Sequence, residues 1–307
     1  MTTTSVCLPT FNGERFVVPA LQSILEQTSR GFEVIVSDDC STDRTREIVE
    51  TLKDSRLHLY SNHRRLGLVG NWNRCLELAS GGYSYIFHQD DLMLPGALRR
   101  LTEVLDRCPN VGFVFSNIQT IDSSGTVVGG HWYPSLPEVD TVFSGKEFFR
   151  LLLREGNVVP CPTVMVRSRC FQESGRFDRR LRYTPDLEMW LRLALRYDVA
   201  YIAEPLVRWR RHAGQESSRY LERVREVDEV WRAFQIVFSE QFSLIPEPET
   251  MYELAMEHLT RWSYAFSRYN LQRRRLGDAW EYARRWFGFW LAKQRGLDGV
   301  GTCPLSA

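Results

Sequence analysis

Two adjacent carboxylates, Asp90 and Asp91, come directly after the aromatic and β-branched run of residues 83–89. Such a run is typical of a buried strand, and apolar residues also follow the acids. Anionic side chains in apolar surroundings carry a large desolvation cost unless a cation or hydrogen-bond donors meet them. Because ligands bind at the carboxyl ends of strands in open parallel sheets, the pair indicates a metal site with a substrate beside it. The alternative is a turn in which one aspartate caps a helix opened by Pro95.

Three acidic clusters follow strand-like or turn segments of the chain. They are Asp38 with Asp39, Asp90 with Asp91, and Asp186 with Glu188. We expect them to converge on one crevice. There, one carboxylate would read a nucleobase or ribose, a second would hold a divalent cation, and a third would deprotonate a hydroxyl nucleophile.

The elements that must position these acids alternate between strands and helices over the first 120 residues. The predicted strands are 4–8, 32–37, 57–60 and 83–89, and the predicted helices between them are 18–27, 41–52 and 69–80. This alternation predicts βαβ units and an α/β fold with a mostly parallel sheet flanked by helices.

The pattern changes twice further along the chain. Strand-like segments at 111–115, 126–128 and 163–166 are joined by long connections, and a helix at 186–197 precedes a short strand at 199–202. Beyond residue 216 we expect only helices, at 220–238, 248–267 and 278–295. The sequence therefore predicts a boundary near residue 215 between an α/β domain and a helical C-terminal region.

The composition excludes several classes of protein. With 307 residues, 43% hydrophobic and 25% charged, the chain is typical of a globular protein, and its net charge of +1 argues against a nucleic-acid binder. Seven scattered cysteines without a Cys-x-x-Cys motif argue against a disulfide framework or a zinc cluster, and favour a reducing compartment. We also expect no signal peptide and no membrane-spanning segment.

Five segments carry a resemblance to a known family. They are SVCLPTFNG (5–13), FEVIVSDDCSTD (32–43), GLVGNWN (67–73), PDLEMWLR (185–192) and RWRRHAGQESS (208–218). Together with the Asp-Asp segment, they make the chain similar to family 2 glycosyltransferases of the GT-A fold. The resemblance implies a catalytic domain over 1–215, with a nucleotide-binding half at about 1–116 and an acceptor half at about 117–215, and leaves 216–307 as the helical extension.

The resemblance implies a nucleotide site at the ends of the first strands. Pro9, Thr10 and Phe11 would lie near the base, and Asp39 would accept a hydrogen bond from a pyrimidine imide N–H. Five further residues complete the implied nucleotide-binding set: Asn12, Glu14, Asn73, Gln89 and Asp90. Asn12 and Glu14 have the alternative of being turn and first-helix residues, and Asp39 that of capping a helix.

The family's Asp-x-Asp metal motif falls on His88-Gln89-Asp90. His88 replaces the first acid, which often contacts ribose, whereas the acid that binds Mn²⁺ or Mg²⁺ is retained as Asp90. The resemblance adds Asp91 and His212 as further metal ligands. A neutral imidazole at position 88 remains able to bond a hydroxyl.

The catalytic base implied by the resemblance is Asp186, with Pro185 in place of the family's usual Glu. Glu188 is the rival, but it lies two residues along the helix and so points elsewhere. The structural alternative for Asp186 is a helix N-cap.

The implied function is inverting transfer of a sugar from a UDP- or dTDP-linked donor to a hydroxyl of a glycan or polyprenyl-linked acceptor, in cell-surface polysaccharide synthesis. The changes at positions 88 and 185 motivate the alternative of a non-catalytic nucleotide- or glycan-binding module. We expect a cytoplasmic location, with peripheral attachment at the inner face of the membrane as a further expectation.

Residues 261–295 combine nine Lys or Arg with two acids and many aromatic side chains. This mixture suits an anionic membrane surface. The alternative is a helix packed on the catalytic domain or on a second subunit of a homo-oligomer.

Overall fold

The computed structural model describes residues 3–29, 31–130, 133–215 and 225–299. Its strands are β1 (Thr4–Thr10), β2 (Phe32–Asp38), β3 (Leu57–Ser61), β4 (Tyr83–Ile86), β5 (Leu92–Met93), β6 (Val111–Ile121), β7 (Val127–Gly130), β8 (Thr141–Phe143), β9 (Met165–Arg167) and β10 (Asp198–Arg210). Its α-helices are α1 (Val17–Leu25), α2 (Thr45–Thr51), α3 (Gly67–Leu78), α4 (Ala97–Arg107), α5 (Gly145–Glu155), α6 (Ser168–Ser174), α7 (Pro185–Ala194), α8 (Arg225–Glu240), α9 (Pro248–Gln272) and α10 (Leu276–Arg295).

The chain folds into two compact units that interleave in sequence. The first unit comprises residues 1–144, 158–179 and 197–213, and the second comprises 145–157, 180–196 and 214–307. The predicted domain boundary at residue 215 stays a prediction. One boundary between the units lies at residues 213 and 214, but the second unit also includes 145–157 and 180–196.

The first unit contains a single mixed sheet with the order β3-β2-β1-β4-β9-β6-β10-β5. The strands β3, β2, β1 and β4 are parallel, as are β6 and β10, whereas β9 is antiparallel to both β4 and β6. Parallel neighbours need a helical crossover between them, which the predicted alternation of strands and helices supplies. The predicted α/β fold with helices flanking the sheet is confirmed.

The helices of this unit lie on the sheet through regularly spaced apolar residues. In α4, for example, Leu98, Leu101 and Leu105 are fully buried while the arginines between them are not. The spacing places these leucines on one side of the helix. They join the strand residues Val6 and Val34 in the core of the unit.

The second unit is helical. Within it α9 buries Met251, Tyr252 and Leu259, and α10 buries Tyr282 and Phe289. The indole of Trp231 in α8 meets the rings of Tyr252 and Phe289 edge-on, at centroid distances of 6.5 and 5.8 Å. These contacts agree with the predicted helices at 220–238, 248–267 and 278–295 as far as the described residues reach. No helix among the described residues is both long enough and apolar enough to cross a bilayer.

Most strands differ by one to three residues from their predictions, and three of the differences bear on the fold. The run at 83–89 forms a strand only over Tyr83–Ile86, whereas β6 extends to Ile121 and β10 to Arg210. The extra residues of β10 include Pro205 and Arg208, which break the apolar pattern used for the prediction. They are nevertheless held in the sheet because β10 pairs with β6 along its length, with irregularities around Pro205.

Candidate functional site

The ends of β1 and β2 are joined through side chains that bond the neighbouring main chain. Thr10 donates its hydroxyl to Asp38 Oδ1 at 3.2 Å. Asn12, which has a left-handed φ of 48°, accepts the Thr42 N–H at 2.8 Å, and Glu14 accepts the Arg44 N–H at 3.0 Å. Asparagine tolerates this φ better than most residues. The segment after β1 and the segment after β2 therefore form one hydrogen-bonded frame.

Asp39 is buried, and N–H groups surround its carboxylate. Oδ1 accepts from Leu66 N at 2.7 Å and from the Asn62 amide at 3.0 Å, and Oδ2 accepts from Gly67 N at 2.8 Å. The carboxylate thereby meets the N-terminus of α3, where the main-chain N–H groups lack partners within the helix. These bonds differ from the helix-capping Asx turn that is the alternative for Asp39, because the donors lie at the start of α3. The predicted contact of Asp39 with a base stays a prediction.

An amide network around Asn71 holds Asn62, which is one of the donors to Asp39. The Asn71 Oδ1 accepts from the Ser37 hydroxyl at 2.7 Å and from the Asn62 amide at 3.0 Å, while its Nδ2 donates to the Ser37 carbonyl at 2.8 Å. Asn71 lies within the GLVGNWN segment, but sequence reasoning gave it no role. Its signal was a polar residue on the apolar side of a helix, which must find partners when buried.

Two side chains predicted to bind nucleotide instead bind the protein's own main chain here. The Gln89 amide accepts from Phe11 N and donates to Phe11 O, both at 3.0 Å. The Asn73 amide is bonded in the same two-point manner to Phe177, at 3.0 and 2.9 Å. Gly13 lies directly under Gln89, since a Cβ at position 13 would come within 2.2 Å of the Gln89 Oε1. Both amides act as braces, and their nucleotide contacts stay predictions.

Pro9, Thr10 and Phe11 end β1 beside this brace. Thr10 is buried, whereas Pro9 and Phe11 are half-buried. The Arg65 guanidinium lies 3.7 Å from the centre of the Phe11 ring, in a cation–π arrangement. An aromatic ring and a cation are thus in place at the strand end where the sequence predicts a nucleobase.

Three side chains after β4 bring potential ligand atoms together. His88, Asp90 and Asp91 each offer one nitrogen or oxygen atom, and these atoms lie within 4.8 Å of one another. We call this set the acid–histidine cluster. The capping alternative for the aspartates is wrong, since α4 begins at Ala97 after Gly96 and has no side-chain cap.

Asp91 is the most constrained member of the cluster. Its side chain is fully buried, Oδ1 accepts from Arg210 N at 2.8 Å, and Oδ2 has no hydrogen-bond partner among the described residues. Burial, together with the neighbouring charge of Asp90, raises the pKa of Asp91 well above its usual value. An uncompensated buried carboxyl of this kind favours either a proton or a cation.

Asp90 is bonded to a histidine from the other end of the unit's sequence. The His212 Nε2 lies 2.9 Å from Asp90 Oδ2, and the Arg210 Nε donates to the Asp90 carbonyl at 2.8 Å. Burial opposes the ionisation of Asp90, but the His212 hydrogen bond and the nearby imidazoles outweigh it, so its pKa lies below the usual value. Asp90 is therefore the anionic member of the pair.

His88 packs flat on Trp72, with ring centroids 5.8 Å apart and 24° between the planes. Its Nδ1 lies 3.6 Å from Asp91 Oδ2, and its buried Nε2 has no hydrogen-bond partner among the described residues. Burial lowers the pKa of His88, which favours the neutral imidazole that binds metals. Sequence reasoning gave His88 only a contact to ribose. The spacing of His88, Asp90 and Asp91 was the signal for a larger role.

The residues of the cluster fit a divalent cation. One anionic carboxylate, one carboxyl with a bare oxygen and one imidazole whose Nδ1 lies 3.6 Å from that carboxyl form the mixed O and N donor set that Mn²⁺ accepts. His88, Asp90 and Asp91 would hold the ion. His212 meets this set through its bond to Asp90, and its own predicted ligation stays a prediction.

Asp186 lies in the second unit, in the first turn of α7. Its Oδ2 accepts from the Asn157 amide at 2.7 Å, and its Oδ1 accepts from Leu187 N at 2.9 Å. Burial raises the pKa of Asp186 to about 6, against the lowering effect of these hydrogen bonds. A carboxyl with this pKa is a better proton acceptor than an ordinary aspartate and still ionises near neutral pH. Asn157 was not found from the sequence, because it lies 29 positions from Asp186.

Glu188, the rival for the role of base, is already paired. It is buried, and its two oxygens bind the Arg192 guanidinium at 2.7 and 2.6 Å in a bidentate ion pair. Such a pair holds both carboxylate oxygens in place. Asp186 is therefore the better candidate.

The segment before Asp186 is held by a glutamate of α8. Glu229 accepts main-chain N–H groups from Arg182, Tyr183 and Thr184 at 3.0, 2.5 and 3.1 Å. Burial raises the pKa of its neighbour Glu226 to about 7. The C-terminal helices thus support the start of α7, which the sequence pattern did not indicate.

Residues 216–218 of the last matched segment lie outside the described residues, so only its part through Gln215 can be placed. Of that part, Arg210 is buried and its guanidinium lies 4.8 Å from the centre of the Phe16 ring. The His212 ring lies 4.7 Å from the same ring. Phe16 therefore packs against the side chains of two residues, Arg210 and His212, that are hydrogen-bonded to Asp90 and Asp91.

Known proteins resemble this chain in sequence and in fold. Residues 5–175 match the model of the family described as Glycosyl transferase family 2. An uncharacterised protein of Mycobacterium tuberculosis is 32% identical over 73% of this chain and 72% of its own length. The UDP-Glc:alpha-D-GlcNAc-diphosphoundecaprenol beta-1,3-glucosyltransferase WfgD of Escherichia coli is 30% identical over 40% of this chain and 48% of its own length.

The fold is also that of a solved glycosyltransferase. The crystal structure of S. aureus TarS 1–349 in complex with UDP-GlcNAc superposes with a TM-score of 0.69, covering 94% of this chain and 79% of that chain at 19% identity. At this identity the likeness concerns the fold, and it confirms the predicted GT-A architecture with C-terminal helices.

Proposed function

This chain belongs to glycosyl transferase family 2, and we propose that it is an inverting glycosyltransferase that uses a nucleotide-sugar donor, UDP- or dTDP-linked, and a divalent cation. The acceptor in this proposal is a hydroxyl of a glycan or polyprenyl-linked saccharide in cell-surface polysaccharide synthesis. The names of WfgD and of the TarS complex, which include UDP-Glc, a diphosphoundecaprenol acceptor and UDP-GlcNAc, support this choice. The observation that carries the proposal is the bare, buried carboxyl oxygen of Asp91 beside the anionic Asp90.

The acid–histidine cluster would hold Mn²⁺ or Mg²⁺. When bound, the ion would stabilise negative charge on the diphosphate of the donor as the bond to the sugar breaks. The task of this chain's residues is to keep the ligand atoms in position. Arg210 does so by donating to Asp91 Oδ1 and to the Asp90 carbonyl.

The nucleotide would lie at the ends of β1 and β2. Asp39 Oδ2 accepts one hydrogen bond, from Gly67 N. A carboxylate oxygen has two acceptor positions, so Oδ2 retains one for the imide N–H of a pyrimidine. Asp39 N donates to the carbonyl of Thr10, the residue before Phe11, at 2.8 Å. The Phe11 ring, with Arg65 over one face, would offer a stacking surface.

Asp186 would act as the general base. It would take the proton from the acceptor hydroxyl while that oxygen forms the new bond to the anomeric carbon of the sugar and the nucleoside diphosphate leaves with the bonding electrons. The Asn157 amide orients the carboxylate through Oδ2. Positioned general bases contribute about 10²–10⁴-fold to rate.

The test replaces Asp186 with Asn. We expect Asp186→Asn to lower nucleoside diphosphate release by about 10²–10⁴-fold, measured across UDP-glucose, UDP-GlcNAc and dTDP-sugar donors with glycan and polyprenyl-linked acceptors. Binding of UDP with Mn²⁺, measured by calorimetry, should be unchanged. The matched control is Asp278→Asn, since Asp278 also lies in the first turn of a helix, α10.

Unchanged turnover in Asp186→Asn would exclude Asp186 as the base. Wild-type binding of UDP with Mn²⁺ but no turnover with any donor and acceptor would favour the second candidate, a non-catalytic nucleotide-binding module. That candidate rests on His88 and Pro185, where family acids are replaced. The predicted cytoplasmic location at the inner membrane face and the homo-oligomer stay predictions.

A further inference from the structure

Helix α10 carries apolar side chains on two opposite sides. Tyr282, Phe289 and Ala292 are buried on the side that packs within the second unit. Leu276, Trp280, Phe287 and Trp290 are exposed, at 66%, 66%, 51% and 43%. Their spacings of four, seven and three residues place them on one side of the helix. A helix apolar on both sides is unusual for a protein surface facing water alone.

The exposed stripe continues into aromatic contacts with α9. The rings of Phe287 and Trp290 stack at 6.0 Å with 19° between the planes, and Tyr264 of α9 lies 6.1 Å from Trp286. We call the set of Tyr264 in α9 and five exposed apolar residues of α10, which are Leu276, Trp280, Trp286, Phe287 and Trp290, the aromatic stripe. The packing interpretation from the sequence therefore accounts for the buried side of α10 but not for this stripe.

The turn between α9 and α10 presents three consecutive arginines, Arg273, Arg274 and Arg275, all exposed. The main chain fixes the turn, since Arg274 N donates to Leu271 O at 3.0 Å and Arg275 N donates to Asn270 O at 2.9 Å. Among the described residues, no carboxylate forms an ion pair with these three arginines. Leu271 before them is 58% exposed, and Leu276 follows them.

The charge around the stripe is strongly positive. Residues 261–295 contain nine Lys or Arg and two acids, a net charge of +7. One of the two acids, Glu281, is paired with Arg285 at 2.8 Å. Arg285 and Lys293 also meet acids outside this stretch, Asp228 and Glu257, at 2.6 and 3.7 Å. Ion pairs thus meet part of the charge, and the three arginines of the turn form the positive tip of the stripe.

We propose that the aromatic stripe and the three arginines of the α9–α10 turn form a docking surface for an anionic lipid bilayer. Trp and Tyr side chains are enriched at the level of the lipid headgroups, and exposed Leu side chains enter the acyl boundary. Guanidinium groups bind lipid phosphates. The surface would attach the protein to one face of a membrane without spanning it.

A second copy of the chain is the less favourable occupant. Symmetric pairing places the same patch of both copies face to face, which would bring the positive charge of one stripe against that of the other. A bilayer with anionic lipids supplies the opposite charge and accepts the aromatic side chains at the same time. Charge complementarity thus selects the lipid surface.

The experiment is co-sedimentation of the full chain with phosphatidylcholine vesicles, with and without about three tenths phosphatidylglycerol. We expect binding to the anionic vesicles alone, and binding that falls as salt is raised. Trp280→Ser with Phe287→Ser should weaken binding by about tenfold or more. Arg274→Gln with Arg275→Gln should weaken it by about 30-fold at low salt.

Two matched variants serve as controls. Phe242→Ser with Leu244→Ser removes an exposed apolar pair of the same unit, at 49% and 42% exposure, and Arg46→Gln with Arg107→Gln removes two exposed arginines of the other unit. Both should bind vesicles as the wild type does. Circular dichroism melts identify any variant that fails to fold, and quenching of tryptophan emission by brominated lipid supplies a second measure of insertion.

Absence of wild-type binding to anionic vesicles would overturn the proposal, and so would equal losses in the stripe variants and their controls. Light scattering that shows self-association of the wild type, lost in Trp280→Ser with Phe287→Ser and without vesicle binding, would also overturn it. That result would assign the stripe to contact between copies. None of these measurements depends on sugar transfer.

Discussion

The first unit contains two pairs of consecutive aspartates, Asp38 with Asp39 and Asp90 with Asp91. The second residue of each pair is buried, but the two differ in their hydrogen-bond partners. Asp39 accepts three hydrogen bonds from N–H donors, two of them from the start of α3. Asp91 accepts one, from Arg210 N, and its other oxygen has no hydrogen-bond partner among the described residues. The fold thus satisfies one carboxylate and leaves the other open to a cation.

This difference separates two kinds of buried acid that look alike in a sequence. A carboxylate met by N–H groups stabilises the frame around it, and removing its charge leaves those groups unsatisfied. A carboxyl with a bare oxygen costs folding energy until a ligand arrives. Asp39 therefore helps to hold the hydrogen-bonded frame at the ends of β1 and β2, and Asp91 is the carboxyl that a cation would stabilise in the proposed site.

The largest expected difference is in stability. Asp39→Asn should lower the free energy of unfolding by about 2–4 kcal/mol, because the amide NH2 would face the N–H of either Leu66 or Gly67 and the buried charge that the other donors meet would be lost. Asp91→Asn should change it by less than about 1 kcal/mol, since the Asn oxygen can still accept from Arg210 N. Urea unfolding of both variants measures the contrast. Equal losses would show that the two carboxyls are not distinct.

The next effect concerns the ion. At Mn²⁺ a hundredfold above its dissociation constant, the wild type should gain about 2.7 kcal/mol, seen as a higher Tm. Asp90→Asn and Asp91→Asn should lose most of this gain, whereas Asp39→Asn should keep it despite a lower starting Tm. If Mn²⁺ still raised the Tm of Asp91→Asn but no longer raised that of Asp39→Asn, the ion would bind near Asp39 and not at the acid–histidine cluster.

A third test extends the comparison to Asp186. Burial raises the pKa of this residue to about 6. Because the base acts when deprotonated, turnover should fall as pH drops through about 6. The Asn157 hydrogen bond lowers the pKa of Asp186, so Asn157→Leu should move the acid limb of the pH–rate profile upward by about one pH unit. Asn110→Leu, at an exposed position, is the control and should leave the limb in place. A downward shift would contradict the assigned role of Asn157.

The smallest expected effect is that of the brace at Gln89. Gln89→Leu removes two hydrogen bonds to Phe11, and since the site is half-buried, water can replace part of them. We expect a loss of about 1 kcal/mol in the free energy of unfolding, with weaker UDP binding as a secondary consequence. A large loss of UDP binding at unchanged stability would instead favour the direct nucleotide contact predicted from the sequence.

Much of the fold was predictable from local patterns. Apolar runs and helix spacing gave β1, β2, β3 and α1 within a few residues, because each segment's pattern reports its own buried side. The length of β10 was not predictable, since its later residues stay in the sheet only through pairing with β6. Local pattern carries no information about a partner strand that lies elsewhere in the chain.

The chemistry divides in the same way. The sequence by itself determined which acids follow the strands and that Asp186 lies at the start of a helix. These are properties of residue type and neighbour. The matched family segments extended them to a function class.

Only the tertiary structure decided which donors meet each acid. Arg210 reaches Asp91 from 119 positions away, and Asn157 reaches Asp186 from 29. Whether a buried carboxyl is satisfied, protonated or open to a cation depends on the donors within about 3 Å of it, and the folding of distant segments sets those distances. The aromatic stripe illustrates the same point, because its composition can be read from the sequence, whereas the packing of α10 decided which rings remained exposed.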